Sequence, residues 1–167
     1  KRHVSIIKKK LKLVTKRRKL HHNNRFKLNI PIISLSGYTC AGKTALFNYL
    51  TNETKEVSPG VFTTLTTHSR SVDLLKLKII LSDTVGFISD IPTYMIESFK
   101  STLEELTYAN VVILIIDVSD PIDEFIEKYW NCMNILLELQ VSPEKILPVF
   151  NKTDLISQED INLKLED

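Results

Sequence analysis

Hydrophobic residues recur along this chain at the two periods that distinguish strands from helices. Short apolar runs over 30–36, 111–118 and 146–150 predict buried strands, because apolar residues there occupy both faces of the extended chain. Two further strands are predicted over 70–75 and 76–82, close enough in sequence to pair as a hairpin. In the second of them Leu77, Ile79 and Leu81 alternate with Lys76, Lys78 and Ile80.

Between these strands the apolar positions follow a helical period. Helices are predicted over 44–50, 93–108, 123–139 and 159–165, whereas 51–67 is polar and without a clean period, which predicts a loop. The alternation predicts an α/β fold of three layers, in which a mostly parallel sheet with one antiparallel hairpin lies between helices. Ligands of such sheets bind at the carboxyl ends of the strands.

The first 27 residues differ in kind from the remainder. Residues 1–27 hold twelve Lys or Arg and no acid, a charge of +12, whereas residues 28–167 hold ten against twenty acids, a charge of −10. We therefore expect a basic helical linker over 1–27 and one globular domain over 28–167. The linker has an apolar seam that predicts a partner helix upstream, which a family resemblance described below implies belongs to a missing N-terminal domain; the seam consists of Val4, Ile7, Leu11 and Val14.

Two interpretations of the basic linker remain open. Its lysines and arginines form either a solvated face or a surface that contacts the phosphate backbone of a nucleic acid. The longest apolar run, Val111 to Ile116, is six residues long, far below the roughly 18 that a membrane span needs. Two cysteines, Cys40 and Cys132, indicate reduced thiols and a cytoplasmic setting.

A phosphate-binding motif lies between the first predicted strand and the first predicted helix. It has the spacing G-x-x-x-x-G-K-[ST], in which glycines let backbone N–H groups face phosphates and the lysine reaches the β- and γ-phosphates. The final hydroxyl would coordinate Mg²⁺. The fold predicted is therefore that of a P-loop NTPase. The motif consists of Gly37, Tyr38, Thr39, Cys40, Ala41, Gly42, Lys43 and Thr44.

A second motif, D-x-x-G, closes the strand predicted over 76–82. It consists of Asp83, Thr84, Val85 and Gly86. The Asp83 carboxylate can hold Mg²⁺ through water, and the Gly86 N–H can meet a γ-phosphate. On its own the motif is weak, because Asp and Gly commonly end strands.

A third motif follows the strand predicted over 146–150. It consists of Asn151, Lys152, Thr153 and Asp154. The Asp154 carboxylate has two acceptor oxygens, which suit the N1–H and the amino group of guanine but find no such donor pair on adenine. The site is therefore expected to bind GTP and GDP.

A fourth segment lies in the loop between the phosphate-binding helix and the hairpin. There a threonine would complete the Mg²⁺ shell when a γ-phosphate is present, and the loop would order in one nucleotide state only. We favour Thr64 over Thr63 for this role. The segment consists of Phe62, Thr63, Thr64, Leu65 and Thr66.

These motifs, together with Asp117 to Pro121 and the stretch F-K-S-T-L-E-E-L that begins at Phe99, resemble the G domain of HflX-type GTPases. The resemblance covers about Ile30 to Asp154. It implies a cytoplasmic Mg²⁺-dependent GTPase of the translation-associated, Ras-like branch, which binds the large ribosomal subunit and its RNA. The chain ends before the family's guanine-backing S-A-[KL] loop and its last strand and helix.

The resemblance also bears on catalysis. Ras-like enzymes generally orient the attacking water with a glutamine after D-x-x-G, and here Phe87 stands at that position. We therefore expect slow intrinsic hydrolysis supported by Lys43, Thr64 and Gly86, with a partner such as the ribosome adding to the rate. Phe87 itself is either a core or a loop residue. Phe125, Tyr129 and Trp130 are expected in the core or at its rim.

Two other functions stay open. The same GTPase mechanism could serve RNA modification or membrane transport. Alternatively, a non-catalytic module could sense GTP and bind RNA through residues 1–27.

Overall fold

Five strands form one sheet in the order β2-β3-β1-β4-β5. This computed structural model describes residues 30–53, 68–74, 77–84, 86–87, 103 and 105–166. The strands are β1 Ile32–Gly37, β2 His68–Leu74, β3 Leu77–Asp83, β4 Val111–Asp117 and β5 Ile146–Asn151.

The sheet is parallel except at one edge. Strand β1 pairs in parallel with β3 and β4, and β4 pairs in parallel with β5. Strand β2 is antiparallel to β3, with Arg70 opposite Leu81 and Leu74 opposite Leu77. The predicted hairpin and the mostly parallel sheet are both confirmed. The carboxyl ends of β1, β3, β4 and β5 consequently lie at the same edge of the sheet.

Helices flank the sheet. They are α1 Lys43–Thr51, α2 Ile122–Glu138 and α3 Gln158–Glu166, with 3₁₀ turns at Pro143–Lys145 and Thr153–Leu155. Of the helix predicted over 93–108, residues 103 and 105–108 are described; 103 and 105–107 are helical, and 108 lies in a turn. No helix in the described part of the chain combines the length and the apolar character that a membrane span requires.

The described core residues form two clusters, and the alternation of β4 assigns its residues to them. Val112, Leu114 and Ile116 belong to the cluster that contains α2 residues, and Ile115 belongs to the cluster that contains Phe47 of α1. Because successive side chains of a strand point to opposite faces, α1 and α2 cover opposite faces of the sheet. The predicted three-layer α/β architecture is therefore confirmed.

The aromatic residues divide between core and surface. Phe125 and Phe87 are buried, so the core alternative for Phe87 is the correct one. Tyr129 is partly buried against the core. The prediction for Trp130 is wrong, because its side chain is 58% exposed. Trp130 follows the core-facing stripe of α2 by one residue, about 100° around the helix, and its ring lies edge-on to that of Tyr129, with 5.3 Å between the ring centroids.

Residues Ile32–Asp167 form one compact unit. The predicted basic linker over 1–27 lies outside the described residues, so the division of the chain at residue 27 stays a prediction.

Candidate functional site

Two glycines determine the path of the loop between β1 and α1. Gly37 has a φ of +139° and Gly42 a φ of +102°, a backbone region that favours glycine. A Cβ on Gly37 would lie 2.2 Å from the Ile115 carbonyl oxygen, and one on Gly42 would lie 2.1 Å from Asn151 Nδ2. The loop therefore packs against neighbouring groups at distances that no larger residue permits.

Lys43 is buried directly behind this loop. Only 6% of the residue is exposed, and its Nζ donates a hydrogen bond to the Tyr38 carbonyl oxygen at 2.6 Å. Burial lowers the pKa of Lys43 from 10.5 to about 8, although the nearby Asp83 carboxylate opposes the shift. The loop thus encloses an ammonium group whose charge has lost most of its hydration, an arrangement that favours binding of an anion.

The two predicted metal ligands that the structure describes are in contact. The Thr44 hydroxyl donates to Asp83 Oδ2 at 3.1 Å, and Asp83 is fully buried at the end of β3. A hydroxyl and a carboxylate oxygen at one point are the hard donors that Mg²⁺ prefers. The residues present therefore fit a magnesium ion.

The D-x-x-G segment is held against the phosphate-binding loop by its main chain. The Phe87 N–H donates to the Gly37 carbonyl at 3.0 Å, and the Thr39 N–H donates to the Phe87 carbonyl at 2.7 Å. A Cβ on Gly86 would lie 2.8 Å from Lys43 Nζ, so only glycine leaves the ammonium its present space. The Thr84 side chain instead faces the core and donates to the Leu35 carbonyl at 2.6 Å.

The N-K-T-D segment joins the same site from the end of β5. Asn151 Nδ2 donates to the Ala41 carbonyl at 2.8 Å, which ties this segment to the phosphate-binding loop. Lys152 has a φ of +62° and turns the chain into the 3₁₀ turn that carries Thr153 and Asp154. Both of these side chains are exposed, so the Asp154 carboxylate is accessible to a ligand.

One acidic residue of the site was missed by the sequence analysis. Asp117 ends β4 directly beside Asn151, and its carboxylate forms an ion pair with Lys152. Its other oxygen accepts hydrogen bonds from the Ser119 N–H at 3.0 Å and hydroxyl at 2.6 Å. The sequence did show an acidic residue at the carboxyl end of a predicted strand. That position indicates a site residue only once β4 is known to lie beside β5.

Burial of Asp117 acts to raise its pKa, but the hydrogen bonds from Lys152 and Ser119 outweigh that effect and lower it. The Asp117 carboxylate is therefore ionised near neutral pH and fully available to Lys152.

Several predicted site residues lie outside the described residues. They are Val85 and the whole fourth segment, which comprises Phe62, Thr63, Thr64, Leu65 and Thr66. The role of Thr64 as a third magnesium ligand stays a prediction.

The described groups form one site with two chemically distinct parts. A glycine loop, a buried ammonium and a hydroxyl–carboxylate pair suit a polyphosphate with its magnesium ion. An exposed carboxylate, joined to that loop through Asn151, suits a ligand with two neighbouring N–H donors. The two parts together have the chemistry to bind a nucleotide.

Comparison with known proteins agrees with this chemistry. The family described as "50S ribosome-binding GTPase" matches residues 32–152. The chain is 42% identical over 159 residues to GTPase HflX of Methanocaldococcus jannaschii, covering 95% of this chain and 39% of that protein. With GTPase HflX of Hyperthermus butylicus it shares 38% identity, covering 95% of this chain and 42% of that protein.

A solved structure is similar as well. It is the crystal structure of a GTP-binding protein from Sulfolobus solfataricus in complex with GDP, with a TM-score of 0.66 and 33% identity. The match covers 90% of this chain and 47% of that one. The chain spans about two fifths of the length of the curated relatives named above.

Proposed function

This chain belongs to the 50S ribosome-binding GTPase family, and on that premise we propose that it binds GTP and GDP and hydrolyses GTP with the help of Mg²⁺. One observation carries the proposal. The Asn151–Ala41 hydrogen bond and the Thr44–Asp83 contact bring three motifs, far apart in sequence, to one end of the sheet. HflX GTPases are its similar relatives, which supports the same reaction here.

The phosphate-binding loop would hold the triphosphate. Lys43 exchanges its hydrogen bond to the Tyr38 carbonyl for a phosphate oxygen, which is the stronger acceptor because it is charged. Thr44 and Asp83 would hold the Mg²⁺ ion, and Thr64 would join them in the GTP state. When bound, the ion neutralises charge on the β- and γ-phosphates.

The base would be selected at the end of β5. The Asp154 carboxylate accepts from the N1–H and the amino group of guanine, and adenine lacks this donor pair. Asn151 is held by the Ala41 carbonyl, so the base-binding turn has a fixed position relative to the phosphate-binding loop.

Intrinsic hydrolysis would be slow. Phe87 is 1% exposed and its main chain is bonded to Gly37 and Thr39, so this position offers no side chain to orient the attacking water. Electrostatic stabilisation by Lys43 and the loop N–H groups remains. We propose that the large ribosomal subunit, contacted in the cytoplasm through the basic residues 1–27 and its RNA, supplies the missing contribution. A partner of this kind adds about 10³–10⁵ in rate to related GTPases.

A lysine substitution tests the GTPase itself. We expect Lys43→Ala to abolish GTP hydrolysis and to weaken GDP binding at least 100-fold, whereas Lys78→Ala, at an exposed position of β3, leaves both unchanged. Binding is measured by calorimetry with magnesium, and hydrolysis by phosphate release. Wild-type activity in Lys43→Ala would contradict the phosphate-binding assignment.

Sedimentation tests the partner. The full-length protein is centrifuged with purified large subunits in the presence of a non-hydrolysable GTP analogue or of GDP. We expect co-sedimentation with the analogue, lost progressively as salt rises, because the basic segment contacts phosphates. Unchanged hydrolysis and no co-sedimentation at low salt would refute the ribosomal role but leave the GTPase intact. Salt-sensitive RNA binding without any turnover would favour the GTP-sensing module instead.

A further inference from the structure

The side chain of Lys152 is anchored by a carboxylate that belongs to a different strand. Asp117 ends β4 and Lys152 follows β5, and the ion pair between them spans the two parallel strand ends. Asp117 is 13% exposed and Lys152 is 33% exposed at their side chains. The Asp117 carboxylate is therefore more shielded from solvent than the Lys152 ammonium, so water competes less for its side of the ion pair.

Asp117 is itself rigidly held. One carboxylate oxygen faces Lys152 and the other accepts both the N–H and the hydroxyl of Ser119. The turn that carries Ser119 is fixed in turn by α3, because Lys164 Nζ donates to the Val118 and Asp120 carbonyls at 2.6 Å each. The Val118 N–H donates to the Asn151 carbonyl at 3.1 Å, which closes the connection to the base-binding segment.

We propose that Asp117 is a positioning residue that orders the Lys152 side chain before guanine binds, an inference that rests on the proposed function. A lysine has a long flexible stem, and ordering it at the moment of binding costs conformational entropy. Because Asp117 holds the ammonium in advance, the methylene stem of Lys152 would offer a guanine base an apolar surface that is already ordered.

This arrangement predicts an effect confined to the base. Among the described residues, the hydrogen bonds and the ion pair of the Asp117 carboxylate are to Lys152 and Ser119, and none of them reaches Lys43, Thr44 or Asp83. Its loss should weaken ligands that carry guanine and leave phosphate-only ligands unaffected. A merely structural residue would instead weaken both classes together.

The test uses the full-length protein with Asp117→Asn, which keeps the size of the side chain and an acceptor for Ser119 but removes the charge that holds Lys152. The matched control is Asp123→Asn, since Asp123 is an exposed aspartate in the first turn of α2. The ligands are GDP and inorganic pyrophosphate, each with magnesium, measured by calorimetry. A second pair of proteins carries Lys152→Met, alone and combined with Asp117→Asn.

We expect Asp117→Asn to weaken GDP binding about tenfold, mainly through faster dissociation, and to change pyrophosphate binding less than about twofold. In the Lys152→Met background the same substitution should change GDP binding less than about twofold, because the residue it positions is gone. Asp123→Asn should match the wild type. Equal loss of GDP and pyrophosphate, or undiminished GDP affinity, would overturn the positioning role.

A second variant and the wild-type protein itself provide two further tests. If Asp117→Asn does not fold, Ser119→Ala removes one hydrogen bond from the same carboxylate, and we expect about threefold weaker GDP binding with unchanged pyrophosphate binding. Wild-type GDP affinity in that variant would equally overturn the role. A wild-type protein that binds no GDP would refute the proposed function itself, whereas GDP binding unaffected by these substitutions refutes only the role of Asp117.

Discussion

Replacing Lys43 by methionine should stabilise the nucleotide-free protein while it destroys phosphate binding. Burial lowers the pKa of Lys43 from 10.5 to about 8, which corresponds to about 3 kcal/mol at roughly 1.36 kcal/mol per pH unit. Methionine has a similar length and no charge to desolvate. Loss of the Lys43 hydrogen bond to the Tyr38 carbonyl lowers the free energy of unfolding by about 1 kcal/mol. We therefore expect a net gain of about 2 kcal/mol at pH 7.

The pH dependence gives this prediction its signature. Since the pKa of Lys43 is lower in the folded state, the unfolded chain binds an additional proton between about pH 8 and 10.5. The stability of the wild type should therefore rise with pH across that window, and the advantage of Lys43→Met should shrink. Urea unfolding of the nucleotide-free protein at pH 7 and pH 9.5 measures both. Lys78→Met, at an exposed position of β3, is the control and should change stability by less than about 0.5 kcal/mol.

A Lys43→Met protein that is less stable than the wild type at pH 7 would refute the desolvation cost assigned to Lys43. A stability difference between the two proteins that does not change with pH would refute it equally. Either result would mean that the ammonium carries no desolvation cost inside the loop, and that the loop is not preorganised for an anion.

Three further predictions concern the same site. Above pH 8 GDP binding should take up protons, up to about 0.8 per site at pH 8.5, because a bound phosphate restores the charge of Lys43; calorimetry in buffers of different ionisation enthalpy measures this, and Lys43→Met should show none. Gly42→Ala should lower stability by about 2–4 kcal/mol and abolish GDP binding, because the added Cβ would displace the Asn151 amide and the φ of this position is +102°. A variant that unfolds thermally at the same temperature as the wild type would contradict the loop geometry. Phe87→Gln should not speed phosphate release and should cost about 2–4 kcal/mol in urea unfolding, because it places an amide in the core; faster turnover would show that this position can reach the water.

The sequence was sufficient for those parts of the protein that depend on local pattern. The β-branched run in β4 is apolar at every position before Asp117, which identifies a strand covered on both faces without knowledge of its neighbours. The phosphate-binding loop was equally readable, because a strand, the glycine spacing and a helix are contiguous there. The contact between Thr44 and Asp83 followed from the parallel pairing of β1 and β3, because Asp83 ends β3 and Thr44 begins the helix that follows β1.

Other features depend on contacts between distant segments and could not be predicted. The pairing of Asp117 with Lys152 requires β4 and β5 to be neighbours in a particular register. The burial of Phe87 depends on main-chain bonds to the phosphate-binding loop, which the single residue does not reveal. Trp130 was assigned to the core or its rim because it is apolar. It lies one residue beyond the core-facing stripe of α2, and its side chain is therefore exposed.

The hydrogen bond between Asn151 and the Ala41 carbonyl joins residues 110 positions apart. A chain synthesised from its N-terminus at about 5–20 residues per second therefore exposes the phosphate-binding loop for about 5–20 s before β5 can add to the sheet. During that interval the loop lacks the amide that fixes it and the carboxylate that selects the base. Cellular nucleotide thus stabilises a partly made domain less than the finished one, and its full contribution to folding begins once β5 has joined the sheet.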